Sequence, residues 1–522
     1  NVPFELRLRD AIASDLVVPF HYYGIRDKLI DYMIEDKNKI AKIISDQTNI
    51  DFIINEIEKH KPEKEKIKAL AFCTTKAHAI QMSNDFLLHG YSAIPLTDEN
   101  NTGERIKAFK DLQDETNDLE IICTVDILNE GVDIPAVNMV LFLRPTESST
   151  IFLQQLGRGL RKYEGKSYLT VLDFIGNNYA RSVQIAMALG TLGRTVYTEK
   201  VYLKNLIQTD YKSLELPGVE INIDELSKEE MINYINQENF NKRSFLKADY
   251  ENFKKYLNIN TIPKHMDYLE SEIAPDLMRF IKAKIGNKRV TSYYNFLSYI
   301  GEEELPIYDK DEIEIINKIE ELLPIVRADE YLIIRNILNN GTLELINLIG
   351  YNNRVTENTL KYAKKLLESK NIVKDGKLTL DNISNIQNYL NDLVNYGLNR
   401  YEIEFGDFEG EYKLYSNYTK EQSMTSINKN YSMNIQLKGT YIDEPTGNTY
   451  IYVGLKKDKS KEIRTNYKDR FISPSIFQWE SENNTTASNS IGIKLQNTKK
   501  VYLFVRKMDE EDNILLPFTY FG

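Results

Sequence analysis

The sequence predicts a multidomain protein in which an α/β lobe with a parallel sheet precedes an all-α segment and a mostly-β (α+β) domain. Short apolar runs alternate with helical periods over residues 1–205. Helical periods rich in Glu, Lys, Ile and Leu fill residues 206–398, and short strands separated by turn signals fill residues 399–522. Because strands that alternate with helices pack into a parallel sheet covered on both faces, the first part is expected to be a doubly covered sheet.

Length and composition are those of a globular protein that works away from membranes. The 522 residues suffice for about three domains, and 42% of them are hydrophobic. A net charge of −11 argues against a protein that coats nucleic acid by bulk charge, although a local basic groove is compatible with it. The two cysteines, Cys73 and Cys123, lie in apolar runs and are expected to be core thiols in the cytoplasm. No metal site and no membrane partner are predicted.

Polar residues follow the predicted strands of the first lobe. The strands are residues 68–75, 91–96, 119–125, 137–143 and 167–172, and helices are expected at 77–89 and 103–112. The residues at or just after strand ends are Thr74, Thr75, Thr97, Thr124, Asp133 and Arg144. Because ligands of parallel sheets bind at the carboxyl ends of the strands, a site is expected at this edge.

The segment Gln154-x-x-Gly157-Arg158-x-x-Arg161 carries the most specific signal. If it is helical, its three polar side chains share one face, since they lie at offsets of zero, four and seven. Two guanidiniums on one face suit a transferring γ-phosphoryl group, whose charge is spread over several oxygens. The alternative for an isolated motif of this kind is a solvated basic helix face.

The first lobe resembles the second RecA-like lobe of a superfamily 2 helicase. Four segments carry the resemblance in the expected order, namely Phe72–Thr75 (motif IV), Thr97 with Glu104 and Arg105 (motif IVa), Thr124–Asp133 (motif V) and Gln154–Arg161 (motif VI). The resemblance covers about two-fifths of the chain. Residues 9–20 are similar to the segment that bridges the two lobes of such enzymes.

The resemblance implies a role for each matched residue. Arg158 and Arg161 would be arginine fingers, Gln154 would sense the nucleotide state, and Gly131 and Asp133 would approach the ribose and phosphates of ATP. Thr74 or Thr75, Thr97 and Thr124 would hold the phosphate backbone of one nucleic-acid strand, a task that hydroxyls perform without reading bases. Taken singly, each threonine could equally be a helix cap or a strand end.

Half of such an ATPase is absent from the sequence. No G-x-x-x-x-G-K-[ST] phosphate cradle occurs, and Asp98-Glu99 is interpreted as a solvated turn rather than a Mg²⁺ site. The first lobe of the motor is therefore expected upstream of Asn1. ATP and Mg²⁺ are cofactors of the full-length protein on this interpretation, and the chain alone is expected to be inactive as an ATPase.

The middle segment, residues 206–398, is interpreted as a helical connector that couples the motor to the last domain. Its clearest helical periods are residues 311–323, 328–338, 358–369 and 380–396. His265 is expected to be a surface or packed residue rather than a ligand. The basic residues Lys242, Arg243, Lys247, Lys254 and Lys255 could contact DNA, but a solvated face is favoured.

The last domain is expected to be mostly β and to carry a basic loop beside aromatic residues. Strands are predicted at residues 401–405, 435–441, 449–455, 490–495 and 500–506, with a turn at 443–448. Residues 456–470 are locally basic, and the single tryptophan, Trp479, follows. Physics alone leaves two interpretations open, a nucleic-acid site and a basic hairpin over a Trp-anchored core.

Residues 467–479, 501–506 and 517–522 resemble the carboxy-terminal domain of ATP-dependent, modification-dependent (type IV) restriction enzymes of the SauUSI type. The resemblance implies an SRA-like reader that flips 5-methylcytosine or 5-hydroxymethylcytosine out of duplex DNA. Trp479, Phe477 and Tyr467 would then stack on the base, and Asp469, Gln478 and Asn483 would contact its edge. No phospholipase-D-type H-x-K motif accompanies them, so the nuclease of such an enzyme is also expected upstream of Asn1, and the chain alone is expected to be inactive as a nuclease.

Two other functions compete with a restriction enzyme that recognises double-stranded DNA containing a modified cytosine. One is a helicase for repair or remodelling whose last domain binds nucleic acid regardless of modification. The other is a last domain that binds protein or forms a homodimer. A comparison of binding to modified and unmodified duplexes separates these alternatives.

Overall fold

The computed structural model describes residues 11–26, 47–125, 134–143, 152–174, 183 and 200–257, and then residues 259–429, 439–455 and 468–522. Within these ranges, the structure does not describe residues 13, 63–64, 153–155, 158, 213–215, 238–241, 272–273, 286–287, 381, 407, 474, 482–484 and 512–513. The chain forms two compact units, the first built mainly from residues 1–263 and the second mainly from residues 264–522.

The first unit is built on a seven-stranded parallel sheet. Its strands are β1 (Phe20–Ile25), β2 (Ala69–Phe72), β3 (Ala93–Leu96), β4 (Ile121–Thr124), β5 (Met139–Phe142), β6 (Leu169–Phe174) and β7 (Glu220–Ile223), in the spatial order β3-β4-β2-β5-β6-β1-β7. The helices are α1 (Gln47–His60), α2 (Lys76–Leu88), α3 (Thr102–Gln113), α4 (Lys200–Gln208), α5 (Glu225–Gln237) and α6 (Arg243–Tyr256). The predicted α/β class is confirmed.

Apolar runs made the central strands predictable. Every residue of β2, β4 and β5 is buried, as expected for strands covered on both faces. Edge strand β7 alternates exposed and buried residues instead. Strand β7 pairs with β1, so residues beyond 205 contribute one strand to this sheet. Residues 206–398 were expected to be helical, so this strand was not predicted.

Two hydrophobic cores cover the two faces of the sheet. Leu70, Phe72 and Ile122 point into one core, whereas Ala71 and Cys123 point into the other. Cys73 shares the second core with Cys123, and both thiols are free and buried. The expectation that the two cysteines are core thiols is therefore confirmed.

The helical part of the second unit contains α7 (Asp267–Glu270), α8 (Leu277–Ile281), α9 (Tyr293–Ile300), α10 (Lys310–Glu320), α11 (Asp329–Asn340), α12 (Glu357–Ser369) and α13 (Gln387–Phe405). Two-residue strands pair as β8 (Lys284–Ile285) with β9 (Lys288–Arg289), and as β10 (Val373–Lys374) with β11 (Lys377–Leu378). The helices expected from residues 311, 328, 358 and 380 onward are present, although the last begins at Gln387.

Residues 401–405 are the end of α13, so the prediction of a strand there is wrong. Leu390, Val394, Tyr401 and Phe405 are buried at helical spacing along α13. Burial of this stripe outweighs the strand preference of the aromatic and β-branched residues at its end.

A five-stranded mixed sheet forms the end of the second unit. It contains β12 (Asn417–Tyr418), β13 (Thr440–Asp443), β14 (Asn448–Gly454), β17 (Lys500–Arg506) and β20 (Phe518–Tyr520), in the order β12-β20-β17-β14-β13. Helix α14 (Lys420–Ser426) follows β12, and β14 pairs with β17 in parallel while the other pairs are antiparallel. Two hairpins, β15 (Arg470–Ser473) with β16 (Ile476–Gln478) and β18 (Glu510–Glu511) with β19 (Ile514–Leu515), complete the described strands.

The predicted strand at residues 490–495 is instead the helix α15 (Ser490–Gln496). The side chain of Asn489 accepts a hydrogen bond from the backbone N–H of Gly492, which caps the helix. A helix at this point carries the chain from β14 to β17, whose parallel pairing requires a crossover. The strands expected at 449–455 and 500–506 and the turn at 443–448 are confirmed.

Buried polar contacts join the helices and the sheet of the second unit. The guanidinium of Arg327 binds the carboxylate of Glu330, donates to the carbonyl of Thr425 at 3.2 Å and donates to Oδ1 of Asn428 at 2.8 Å. The side chain of Gln422 donates to the carbonyl of Pro324 at 2.7 Å. Helix α14 is thus fixed to the α10–α11 connection.

His265 is a packed residue, as expected, and lies between two carboxylates. Its Nδ1 is 2.9 Å from Oδ2 of Asp392, and its Nε2 is 2.5 Å from Oε1 of Glu320. Burial lowers the pKa of His265, but the hydrogen bonds to Asp392 and Glu320 outweigh burial and raise the pKa to about 9. The imidazolium therefore links α10 and α13 to the segment that begins α7.

Candidate functional site

The central strands of the first sheet end at a common level. The register pairs Leu96 with Thr124, Thr124 with Phe72, Phe72 with Phe142, and Phe142 with Asp173. The loops that follow β2, β3 and β4 therefore start side by side. Thr74, Thr97 and Thr124 lie within two residues of these strand ends, so the structure brings the three predicted threonines to one edge.

Thr124 and Thr97 are recessed at this edge. Thr124 is 1% exposed, and its hydroxyl has no hydrogen-bond partner among the residues that the structure describes. Thr97 is 6% exposed, and its backbone N–H donates to Oδ1 of Asn100 in the turn before α3.

Thr74 and Thr75 open helix α2 in different ways. The backbone N–H and the hydroxyl of Thr74 both contact Nδ1 of the buried His78, at 3.1 and 2.9 Å. Thr75 is the N-cap, since its hydroxyl oxygen accepts the N–H of His78. Capping is the structural role that the sequence left open for a threonine at this point.

Asp98 and Glu99 form an exposed turn, as the sequence predicted. Their side chains are 66% and 74% exposed, and both pair with the ammonium of Lys76, at 2.6 and 3.3 Å. Lys76 holds the pKa of Asp98 below its ordinary value. Within the described residues, no cluster of His, Cys, Asp or Glu side chains is arranged to hold a metal ion.

Arg161 lies elsewhere on the lobe. Its backbone forms an isolated antiparallel bridge with Val17, and the N–H of Val18 donates to the carbonyl of Leu160 at 2.8 Å. Since Val17 precedes β1, Arg161 lies beside the amino end of that strand, opposite the threonine edge. Its side chain is exposed.

The expectation that Arg161 shares one helix face with Gln154 and Arg158 is wrong, because Leu160 and Arg161 are not helical. The described helical residues of this segment are 152, 156, 157 and 159. Val17 pairs with the extended backbone that follows them. Gln154, Arg158, Gly131 and Asp133 lie outside the described residues.

Asp173 and Lys166 are among the buried polar residues of this lobe that the sequence did not predict. Asp173, at the end of β6, is fully buried and accepts a hydrogen bond of 2.7 Å from the hydroxyl of Tyr22. Lys166 is 8% exposed and donates to three backbone carbonyls. A lysine that follows a glycine just before an apolar strand gives no sign of burial in the sequence.

The described candidates for base reading lie on or beside the β15–β16 hairpin. Phe477 packs edge-on against Phe471, with ring centroids 4.8 Å apart, and Oε1 of Gln478 accepts from Nε of Arg470 at 3.2 Å. Oδ1 of Asp469 accepts the N–H of Glu480 at 2.9 Å, which ties the two ends of the hairpin together.

Trp479 is half-buried at the end of this hairpin and takes part in no ring–ring contact with the described aromatic residues. Ile472 and Ile476 on the same hairpin are 60% and 54% exposed. Tyr467 and Asn483 lie outside the described residues. The hairpin therefore presents an apolar surface, and the described part of it contains no aromatic sandwich.

Comparison with known families matches three parts of the chain. Residues 48–163 match the helicase conserved C-terminal domain. Residues 246–377 and 412–522 match two domains of unknown function, DUF8090 and DUF3427. None of the helices in the described ranges is long and apolar enough to cross a membrane.

Curated relatives match the first part of the chain. "Putative ATP-dependent helicase IRC3" of Saccharomyces cerevisiae is 29% identical over 160 residues, which are 30% of this chain and 22% of that protein. "UvrABC system protein B" of Thermosipho africanus is 34% identical over 125 residues, 23% of this chain and 18% of that protein. The chain thus spans about a fifth of the length of these relatives. The family match and the relatives support a superfamily 2 helicase C-terminal lobe.

Solved structures of helicase-like proteins align with about a third of the chain. The DEAD-box protein SrmB of E. coli is 16% identical, with a TM-score of 0.23, over 35% of this chain and 86% of that chain. A DEAD box protein of Methanococcus jannaschii is 15% identical, with a TM-score of 0.24, over 34% of this chain and 41% of that chain.

Proposed function

We propose that this chain supplies the second motor lobe and the DNA-recognition part of an ATP-dependent restriction enzyme. The observation that carries the motor assignment is that threonines and an exposed arginine lie at opposite edges of one parallel sheet. Hydroxyls converge at the carboxyl edge of the sheet, and an exposed guanidinium, that of Arg161, lies beside the amino end of β1. A motor driven by ATP needs both, one for the nucleic-acid backbone and one for the nucleotide.

The positive charge of Arg161 complements the negative charge of ATP, because a guanidinium can stabilise the γ-phosphate oxygens during transfer. Mg²⁺ would neutralise the phosphates, and its ligands would come from a lobe with the phosphate cradle, since residues 1–522 contain no such motif. We therefore expect no ATP turnover by residues 1–522 alone, and nucleic-acid-stimulated turnover when the complementary lobe is supplied. ATP hydrolysis by the purified residues 1–522 would contradict the proposal that the phosphate cradle lies on another lobe.

The modified-base assignment is supported by the apolar β15–β16 hairpin and by the resemblance of residues 467–479, 501–506 and 517–522 to type IV restriction enzymes. A reader must flip the base, which costs roughly a few kcal/mol. Stacking on an aromatic ring returns about 1–3 kcal/mol. Trp479 is only half-buried and lies in no described ring pair, so it can receive a base.

Protein binding by the last domain is the second candidate function. The exposed Ile472 and Ile476 favour it, because exposed apolar side chains on one hairpin are suited to a protein partner. A homodimer is one form that such binding would take.

A binding titration of residues 1–522 separates these functions. The duplexes have one sequence and carry cytosine, 5-methylcytosine or 5-hydroxymethylcytosine at one position. The whole chain is used because Arg327 and Gln422 join the helical part to the last domain. A preference for a modified duplex supports the reader, equal affinities favour a modification-blind helicase, and absence of binding at low salt favours the protein-interaction module.

A further inference from the structure

Lys166 is a buried lysine whose three ammonium hydrogens all have acceptors. It is 8% exposed, and its Nζ lies 2.9 Å from the carbonyl oxygen of Pro135, 2.5 Å from that of Gly159 and 3.2 Å from that of Arg161. An ammonium is tolerated in a protein interior only if its N–H groups are hydrogen-bonded. Burial lowers the pKa of Lys166 to about 7, and Glu65 acts in the opposite direction.

The three carbonyls come from two parts of the chain. Gly159 and Arg161 end the arginine segment, and Pro135 lies two residues after the segment Thr124–Asp133. One ammonium therefore contacts the backbone of Pro135 and the backbone at the end of the arginine segment.

The arginine segment is also held on its other sides. A Cβ added at Gly159 would come within 2.8 Å of Leu169, so the backbone is pressed against β6. Val17 and Val18 pair with Arg161 and Leu160, and Lys162 binds Asp15 at 2.7 Å. Arg161 therefore sits in a backbone that is fixed by β6, by the segment before β1 and by Lys166.

We propose that Lys166 is a positioning residue that ties the backbone of Gly159–Arg161 to the backbone of Pro135, and so holds Arg161 in a fixed place on the lobe. This proposal rests on the proposed function, because it assigns this lock a role in ATP turnover. Lys166 touches neither nucleotide nor nucleic acid in this role and acts through Arg161.

The lock itself is tested without any activity, by amide hydrogen exchange on residues 1–522. In Lys166→Met, the amides of Val18, bonded to Leu160, and Val137, bonded to Ile134, should exchange at least about ten-fold faster, since both segments lose a charged hydrogen-bond donor. The matched control is Lys66→Met, which removes a lysine bound to Asn117 and Asp118 at the start of β2 and should leave both amides unchanged. Unchanged exchange in Lys166→Met overturns the lock.

The catalytic role is tested by a double-mutant cycle in the protein completed with its phosphate-binding lobe. Lys166→Met should lower kcat about 10- to 100-fold with little change in KM for ATP, and should have no further effect in an Arg161→Ala background. Additive effects would mean that Lys166 does not act through Arg161, and would overturn the proposal. If Lys166→Met fails to fold, Lys166→Gln, which keeps two N–H donors, is measured instead. Absence of ATPase activity in the unmutated protein would contradict the proposed function, while the exchange experiment would still decide the lock.

Discussion

The imidazole Nδ1 of His78 accepts from both the backbone N–H and the hydroxyl of Thr74, at 3.1 and 2.9 Å. Because Nδ1 is the acceptor, the ring hydrogen lies on Nε2, which is buried without a partner among the described residues. Burial lowers the pKa of His78 to about 4, so the ring is neutral near pH 7. The hydroxyl hydrogen of Thr74 is thus directed at His78 and is not available to a phosphate.

Thr75 is therefore expected to contribute more than Thr74 to nucleic-acid binding. Its hydroxyl oxygen accepts the N–H of His78, and that contact leaves its own hydrogen free to donate. Thr75→Ala should weaken binding of a non-specific duplex about 10- to 100-fold, the value of one hydrogen bond to a charged group. Thr74→Val should change it less than about two-fold, as expected for a hydrogen not directed at phosphate. Thr75→Ser, which keeps hydroxyl and cap, is the control, and a larger loss in Thr74→Val would contradict this assignment.

Arg161→Ala should lower ATP turnover roughly 10³-fold, the lower range for an arginine finger. Lysine should restore little of it, because a point charge cannot replace the planar, bidentate guanidinium. Turnover is measured in the protein completed with the phosphate-binding lobe, and duplex binding by residues 1–522 serves as the control that should stay unchanged. A variant that keeps more than half of the turnover would exclude Arg161 as a finger.

The second unit should become less stable at alkaline pH, because His265 then loses the proton that it shares with its two carboxylate partners. The folded pKa of about 9 exceeds the ordinary value of 6.5, so the stabilisation is complete below pH 6.5 and is lost as pH rises through about 9. The difference corresponds to on the order of 3 kcal/mol. The melting temperature of residues 1–522 should fall over this interval. His265→Gln should be less stable at pH 6 and should show a flatter pH profile, and parallel profiles for the two proteins would refute the assignment.

Trp479→Ala should remove any preference for modified cytosine while leaving general duplex affinity within a few-fold, because stacking accounts for about 1–3 kcal/mol per base. Trp479→Phe keeps an aromatic face and is expected to retain part of the preference. Phe471→Leu tests the hairpin separately, because it removes the ring that packs against Phe477 from the paired strand and leaves Trp479 in place. A preference that survives in Trp479→Ala would place the modified base elsewhere.

The first lobe was predictable because its signals are local. Buried parallel strands such as β2 and β4 are continuous apolar runs, and polar residues mark their ends. The position of Arg161 was not predictable, because it depends on pairing with Val17, more than a hundred residues earlier in the chain. Asp173 was missed for the same reason, since its partner Tyr22 lies 151 residues earlier, and one acceptor of Lys166, Pro135, lies 31 residues earlier.

In the second unit, two short stretches with strand-like composition were predicted wrongly as strands, because each is too short to show a clear helical period. Residues 490–495 alternate apolar and polar side chains, but Asn489 caps a helix there, in the crossover that joins the parallel strands β14 and β17. The sequence left open whether His265 is a surface or a packed residue, and it is packed against partners, Glu320 and Asp392, that lie 55 and 127 residues away. The division into domains at residues 205 and 398 stays a prediction.

The single tryptophan gives the β15–β16 hairpin its own optical signal. Trp479 is the only tryptophan in a chain with 34 tyrosines, and it is half-buried, so its emission reports the polarity around this one hairpin. Contact with a base or an apolar partner would shift or quench that emission, whereas events at the parallel sheet of the first unit would leave it unchanged unless they reach the hairpin. Fluorescence of the unlabelled protein can therefore show whether a change in solution conditions or an added molecule alters the surroundings of this hairpin.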